Sequence, residues 1–191
     1  MSRHRDGLLP LRFLIILIFG LVVSGVVGCG MMNGPSEYEK FMQKRKDFAQ
    51  IIADAGGKAT KEGKAMFGFK AVGWFIDLSG AKITDKLISQ IVEIGGAEGV
   101  FVLDLSKSEI TDAQLKKLDE GKVLVKTVDL NLAETQITDA GLDNLSEYYC
   151  VMKLNLKGSK ATKEGAKRLS DKKIANQHTP APFKKAPELI I

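Results

Sequence analysis

Apolar residues are spaced in three different ways along this chain. Phe13 to Val27 is a continuous uncharged run of mostly aliphatic residues. From Tyr38 the spacing opens: Tyr38, Phe41, Met42, Phe48, Ile51 and Ile52 recur roughly as one helical face does. This predicts an amphipathic helix of about five turns, with Ser36 as N-cap, Glu39 three residues on, and Gly56-Gly57 as the stop. Further on, aliphatics come in pairs two residues apart: Ile76/Leu78, Leu103/Leu105, Leu130/Leu132 and Leu154/Leu156. Alternation of that kind predicts short strands with one buried side.

The pairs sit in a recurring phrase. "DLSGAKITD" occupies 77–85, "DLSKSEITD" 104–112, "LNLAETQITD" 130–139, and "LNLKGSKATKEG" starts at 154. Leu78, Leu105, Leu132 and Leu156 are separated by 27, 27 and 24 residues. Three residues beyond each stands a small residue: Ala81, Ser108, Thr135 or Ser159. There the chain must turn away from the strand, and a short hydroxyl can bond turn backbone groups. An aliphatic follows at Ile83, Ile110 and Ile137, with a weaker Ala161 in the last copy. Thr-Asp at 84–85, 111–112 and 138–139 then suits a helix start, Thr as cap and Asp at the positive end of the dipole. Leu87, Ile88, Ile91 and Val92, then Leu115 and Leu118, then Leu142 and Leu145 would face back onto the strands. A single unit of this kind cannot bury its own apolar face, so the units must stack.

A period near 27 with this aliphatic order is the signature of leucine-rich repeats. Residues 36–175 resemble the short bacterial leucine-rich-repeat proteins with "DLSGTxITD"-type repeats, which are often exported and often lipoproteins. The "GGKAT" segment at 56–60 is similar to the opening of such domains. The resemblance implies an α/β fold, a leucine-rich-repeat solenoid of about four repeats with an N-terminal helix and strand cap. It also implies a binding scaffold. "KATKEG" occurs at 58–63 and again at 160–165, in repeat register only in the second copy. The stretch "GGKATKEGKAMFGFKAVGWFIDL" therefore reads as a modified first unit, two strands with a turn between. Phe67, Phe69, Trp74 and Phe75 are expected to cover the open end of the stack together with the preceding helix; a ligand-binding aromatic cluster is the alternative.

The N-terminus reads as an address. Its first twelve residues are cationic, the apolar run follows, and Val26-Val27-Gly28-Cys29 comes next. That is the order of a secretory signal, and the Cys after a small residue resembles the bacterial lipoprotein box, with Cys29 lipidated. A retained membrane anchor and plain secretion are the alternatives; all three place the folded part outside the cytoplasm. The expected division is a lipoprotein signal peptide at 1–28, a tether at 29–36, a helix and capping segment at 37–72, the repeat domain at 73–175, and a proline-containing tail at 176–191, extended or disordered.

Composition mainly excludes. The formal charge of +5 is partly the arginines of the N-terminus, and no basic run stands beside interleaved aromatics, so no nucleic-acid partner is expected. The two histidines, His4 and His178, lie outside the repeats, which leaves no His for a Ser-His-Asp or Cys-His arrangement there. No cofactor motif or metal-ligand spacing occurs, and no catalytic residue, cofactor or metal is assigned. Cys150, opening the predicted strand "CVMKLNL", reads as a small buried hydrophobe.

The suggestive residues lie between the buried aliphatics, on the opposite side of each strand. Asp77, Asp104, Asn131 and Asn155 form one row across the repeats, and Ser79, Ser106, Ala133 and Lys157 the next. Adjacent strands bring Asp77 and Asp104 together, which costs energy unless a donor, cation or partner compensates. A solvated polar row, a divalent site and a partner surface are all compatible with that. Val102 beside Phe75 would add an apolar spot. The candidate partner-binding residues are Phe75, Asp77, Val102, Asp104, Ser106, Lys107, Asp129, Asn131 and Glu134. The expectation is an exported protein, anchored in the cell envelope by an N-terminal lipid. It binds an unidentified protein or envelope component without catalysis. A carboxylate-dependent envelope enzyme and a purely structural lipoprotein are the alternatives.

Overall fold

A computed structural model describes residues 34–66, 69–146, 148, 150–175 and 185–191. Helix α1 (Glu37–Asp54) leads into a hairpin of β1 (Lys58–Met66) and β2 (Phe69–Asp77). Then come α2 (Asp85–Glu98), β3 (Val100–Asp104), α3 (Asp112–Glu120), β4 (Asp129–Asn131), α4 (Asp139–Asp143), β5 (Lys153–Asn155), α5 (Lys163–Ala175) and β6 (Glu188–Ile190). The six strands form one open sheet in chain order, β1 antiparallel to β2 and the rest parallel. The fold is α/β, a mostly parallel sheet with five α-helices among the described residues.

The aliphatic pairs make the core. Ile76, Leu103, Leu130 and Leu154 are neighbours across the sheet. They and Leu78, Leu105, Leu132 and Leu156 are all at most 1% exposed. The small hydroxyls close the turns as expected: Ser108 Oγ donates to the Leu105 carbonyl at 2.6 Å and Thr135 Oγ1 to that of Leu132 at 2.7 Å. Thr84, Thr111 and Thr138 cap α2, α3 and α4.

The Asp of each Thr-Asp pair does more than face a helix dipole. Asp112 accepts from Thr138 N at 3.0 Å and Thr138 Oγ1 at 2.6 Å; Asp139 accepts from Thr162 N and Oγ1 at 2.7 and 2.8 Å. Each cap is thus tied to the previous repeat. Glycine makes the approach feasible: a Cβ at Gly141 or Gly165 would stand 2.2 Å from Oδ1 of Asp112 or Asp139. Where Gln114 replaces that glycine, its own side chain completes a capping box with Thr111, and Asp85 bonds Gln114 Nε2 instead.

Four expectations need correction. Trp74 and Phe75 do not share a covering role, because successive residues of a strand face opposite ways. Trp74 packs edge-on against Phe48 of α1, with centroids 4.8 Å apart, whereas Phe75 stacks on Phe101. Phe67 and the Phe69 side chain lie outside the described residues. Tyr38 is 71% exposed; only Phe48 and Ile52 of α1 are buried. The tail is not wholly irregular, since Glu188–Ile190 pairs with β5 and lays Leu189 beside Leu154. Cys150 precedes β5 in a turn rather than opening the strand, and is half-buried.

Lys173 was not anticipated as a core residue. It is 1% exposed and donates to the Val151 carbonyl. Burial lowers its ammonium to a pKa of about 8, with Cys150 opposing the shift. The unfolded chain holds this proton up to about 10.4. Between those values the unfolded state binds more protons, so this group's contribution to stability rises with pH. Denaturant midpoints of wild type minus Lys173→Met should therefore be flat below pH ~8 and climb toward pH ~10. A difference that falls or stays level over that window contradicts the burial of the charge.

Candidate functional site

Among the described residues, the helices pack on one face of the sheet and none covers the other. Two rows of side chains cross the open face. One runs Thr60, Phe75, Val102, Asp129, Lys153, Glu188; the other runs Lys58, Asp77, Asp104, Asn131, Asn155, Ile190. The rows hold Phe75, Asp77, Val102, Asp104, Asp129 and Asn131 together; Phe75, like Ser106, is buried rather than presented on the surface. Ser106, Lys107 and Glu134 stand beyond the strand ends, at the turns.

The Asp and Asn row has a structural task. Each side chain accepts from the backbone N–H two residues on: Asp77 from Ser79 at 2.9 Å, Asp104 from Ser106 at 2.9 Å, Asn131 from Ala133 and Asn155 from Lys157, both at 3.1 Å. These short-range bonds fix the exit of every strand. Asp104 Oδ1 also takes Ser106 Oγ at 2.6 Å, and Asp104 Oδ2 takes Asn131 Nδ2 at 2.9 Å. Ser106 Oγ lies 3.0 Å from Ser79 Oγ. The repulsion between Asp77 and Asp104 is thus offset by donors inside the fold. No group of three or more His, Cys, Asp or Glu side chains is placed to hold a metal ion among the described residues.

Asp129 is set differently. Burial raises its carboxyl pKa, Asp104 and Glu188 add to that, and Lys153, with Nζ 3.8 Å from Oδ2, opposes it. Lys107 and Glu134 occupy one turn position in successive repeats, with φ of 58° and 55°, where Gly80 and Gly158 serve the outer repeats. Both side chains are exposed.

The apolar part of the face comes from an irregularity. Trp74 pairs with Val100, but Phe75 pairs with Val102, so Phe101 is an extra residue in β3. Its ring lies over Gly73, where a Cβ would stand 2.7 Å away, and stacks on Phe75 at 6.4 Å. Beside this cluster is an open depression of 480 Å³ lined by Lys58, Thr60, Glu62, Phe75, Ile76, Asp77, Val102 and Asp104. Sequence reasoning missed Phe101 and the contributions of β1, Lys153 and Glu188. The bulge has no periodic signal, and β1 and β6 stand outside the repeat phrase.

No protein-family model, curated protein or solved structure matches the chain. Among the described residues no helix is long and apolar enough to cross a membrane. Cys29 and the apolar run lie outside the described residues.

Proposed function

We propose that this chain is an exported leucine-rich-repeat protein, tethered to the cell envelope by lipid on Cys29. Its open sheet face binds another protein or envelope component without catalysis. The repeat reading draws on spacing that recurs in the contacts: Ser79 with Ser106, Asp104 with Asn131, and Asp119 with Ser146 are each 27 residues apart. The binding reading rests on one observation. The helix-side aliphatics of the parallel strands are buried, while Phe101 and Val102 remain partly exposed on the other face, beside a polar row. An apolar centre with a polar rim is the anatomy of an interface.

The test compares two double variants in pull-downs from solubilised membranes. Val102→Asp with Asp129→Asn alters the apolar centre and spares Asp104, whose carboxylate the turns need. Lys116→Glu with Lys117→Glu alters the exposed helical side by the same number of sites. The strand pair should reduce capture about tenfold or more, the scale of a disrupted interface centre, with an unchanged melting temperature. Loss of capture from the helix pair alone would move the binding surface to the helical side.

A further inference from the structure

The sheet ends in two unlike edges. β6 is three residues long and follows Pro187, a blunt edge of the kind that resists further pairing. β1 runs nine residues without proline, pairs with β2 throughout without a bulge, and no strand lies on its outer side among the described residues. Lysines often guard such an edge. Here Lys61 is turned to the helix-covered face, where its Nζ lies 2.7 Å from Glu98 and 5.9 Å from the Trp74 ring centroid. Lys58, Thr60 and Glu62 point to the open face, where they line one side of the depression.

Charge selects a partner for this edge. In an antiparallel pairing of two identical strands, one residue stands opposite its own copy, and directly opposed side chains share a face. Centring on Lys61 or Glu62 sets like charges against each other. Centring on Gly63 also sets opposite charges together, Glu62 against Lys64, but it puts two glycines on the axis, where no side chains meet across the strands. Centring on Thr60 places Thr against Thr and Lys58 against Glu62 on both sides, and these are favourable cross-strand pairs. We propose that two copies of the chain pair antiparallel through β1, with Thr60 on the two-fold axis. The axis is then perpendicular to the sheet. Both open faces lie on one side, and the two depressions meet at the seam. This concerns β1 alone and does not depend on whether the open face takes a partner.

The test uses the full-length chain in its membrane with Cys150→Ser throughout, with and without Thr60→Cys. A cysteine facing its own copy across antiparallel strands is within disulfide reach. Mild oxidation should give a dimer-sized species only when Thr60→Cys is present. Lys58→Glu and Glu62→Lys, each added alone, turn two attractive pairs repulsive and should lower the crosslinked fraction about tenfold. Lys58→Glu with Glu62→Lys together restores complementarity and should restore the crosslink. Sedimentation of the detergent-solubilised chain with Thr60 intact should follow the same order: dimer, monomer for each single change, dimer for the double. Absence of the dimer in both measurements overturns the proposal. So does a dimer that ignores the single changes, or one that the double change fails to restore.

Discussion

Leu132→Ala is expected to cost about 2–5 kcal/mol, enough to unfold much of the domain at physiological temperature. Leu132 is fully buried between Leu105 and Leu156 in the stacked column. Its N–H donates to the Asn155 carbonyl at 2.8 Å, and its own carbonyl accepts from Thr135. The backbone is therefore held in place, and the walls cannot readily collapse into the space left by the side chain. That points to the upper part of the range. Position adds to the loss, because Leu132 follows β4, an inner strand paired with both β3 and β5, and a cavity there loosens packing on both sides. A domain of this size has only about 5–15 kcal/mol to lose. Thermal melting should show a large drop for Leu132→Ala and almost none for Val72→Ala, a residue 59% exposed. An unchanged melt for Leu132→Ala would mean that the strand register is wrong.

That core could be read before any coordinates because its signal is repetition. Four aliphatic pairs, three Thr caps and three turn hydroxyls each recur at fixed offsets, and each recurrence tests the previous one. What remained hidden is of two kinds. The first is contact between repeats: in the sequence, Asp112 and Asp139 look like residues beside a helix start, and only stacking shows them bonding the next Thr. The second is context overriding local sequence. "KATKEG" is β-strand at 58–63, where it pairs with "VGWFID" of β2. The same six residues at 160–165 form a turn and the start of α5, with Thr162 Oγ1 accepting from Gly165 N. Six residues carry too little preference to decide; the partner strand decides the first copy, and Asp139 helps to decide the second. The candidate site divides in the same way. The Asp and Asn row follows from alternation and was legible; the expected second row of Ser79, Ser106, Ala133 and Lys157 falls in the turns, and the row that runs through Phe75, Val102 and Asp129 takes its place on the sheet. The Phe101 bulge and the side contributed by β1 were not, because neither is periodic.

Cys29→Ser should abolish both lipid attachment and normal processing, leaving the larger precursor. The expectation follows from the order of the first residues: a cationic stretch, the uncharged run from Phe13 to Val27, then Gly28 and Cys29. In the lipoprotein reading the thiol of Cys29 carries the lipid, and cleavage before it makes it the new N-terminus. A serine hydroxyl at that place is far less nucleophilic at neutral pH than a thiolate. The acyl chains would hold the protein firmly, at about 0.8 kcal/mol for every buried CH₂. Metabolic labelling with a radioactive fatty acid, read beside chain length on a gel, separates the three readings of the N-terminus. The lipid-tethered protein is shortened and labelled, and Cys29→Ser loses both features. A retained anchor is full-length and unlabelled in the wild type, and a plainly secreted protein is shortened but unlabelled. Cys150→Ser is the control, since that thiol is half-buried in a turn ahead of β5 and burial raises its pKa. Its loss should change neither label nor length. Mature-sized protein from Cys29→Ser would rule out lipidation as the tether.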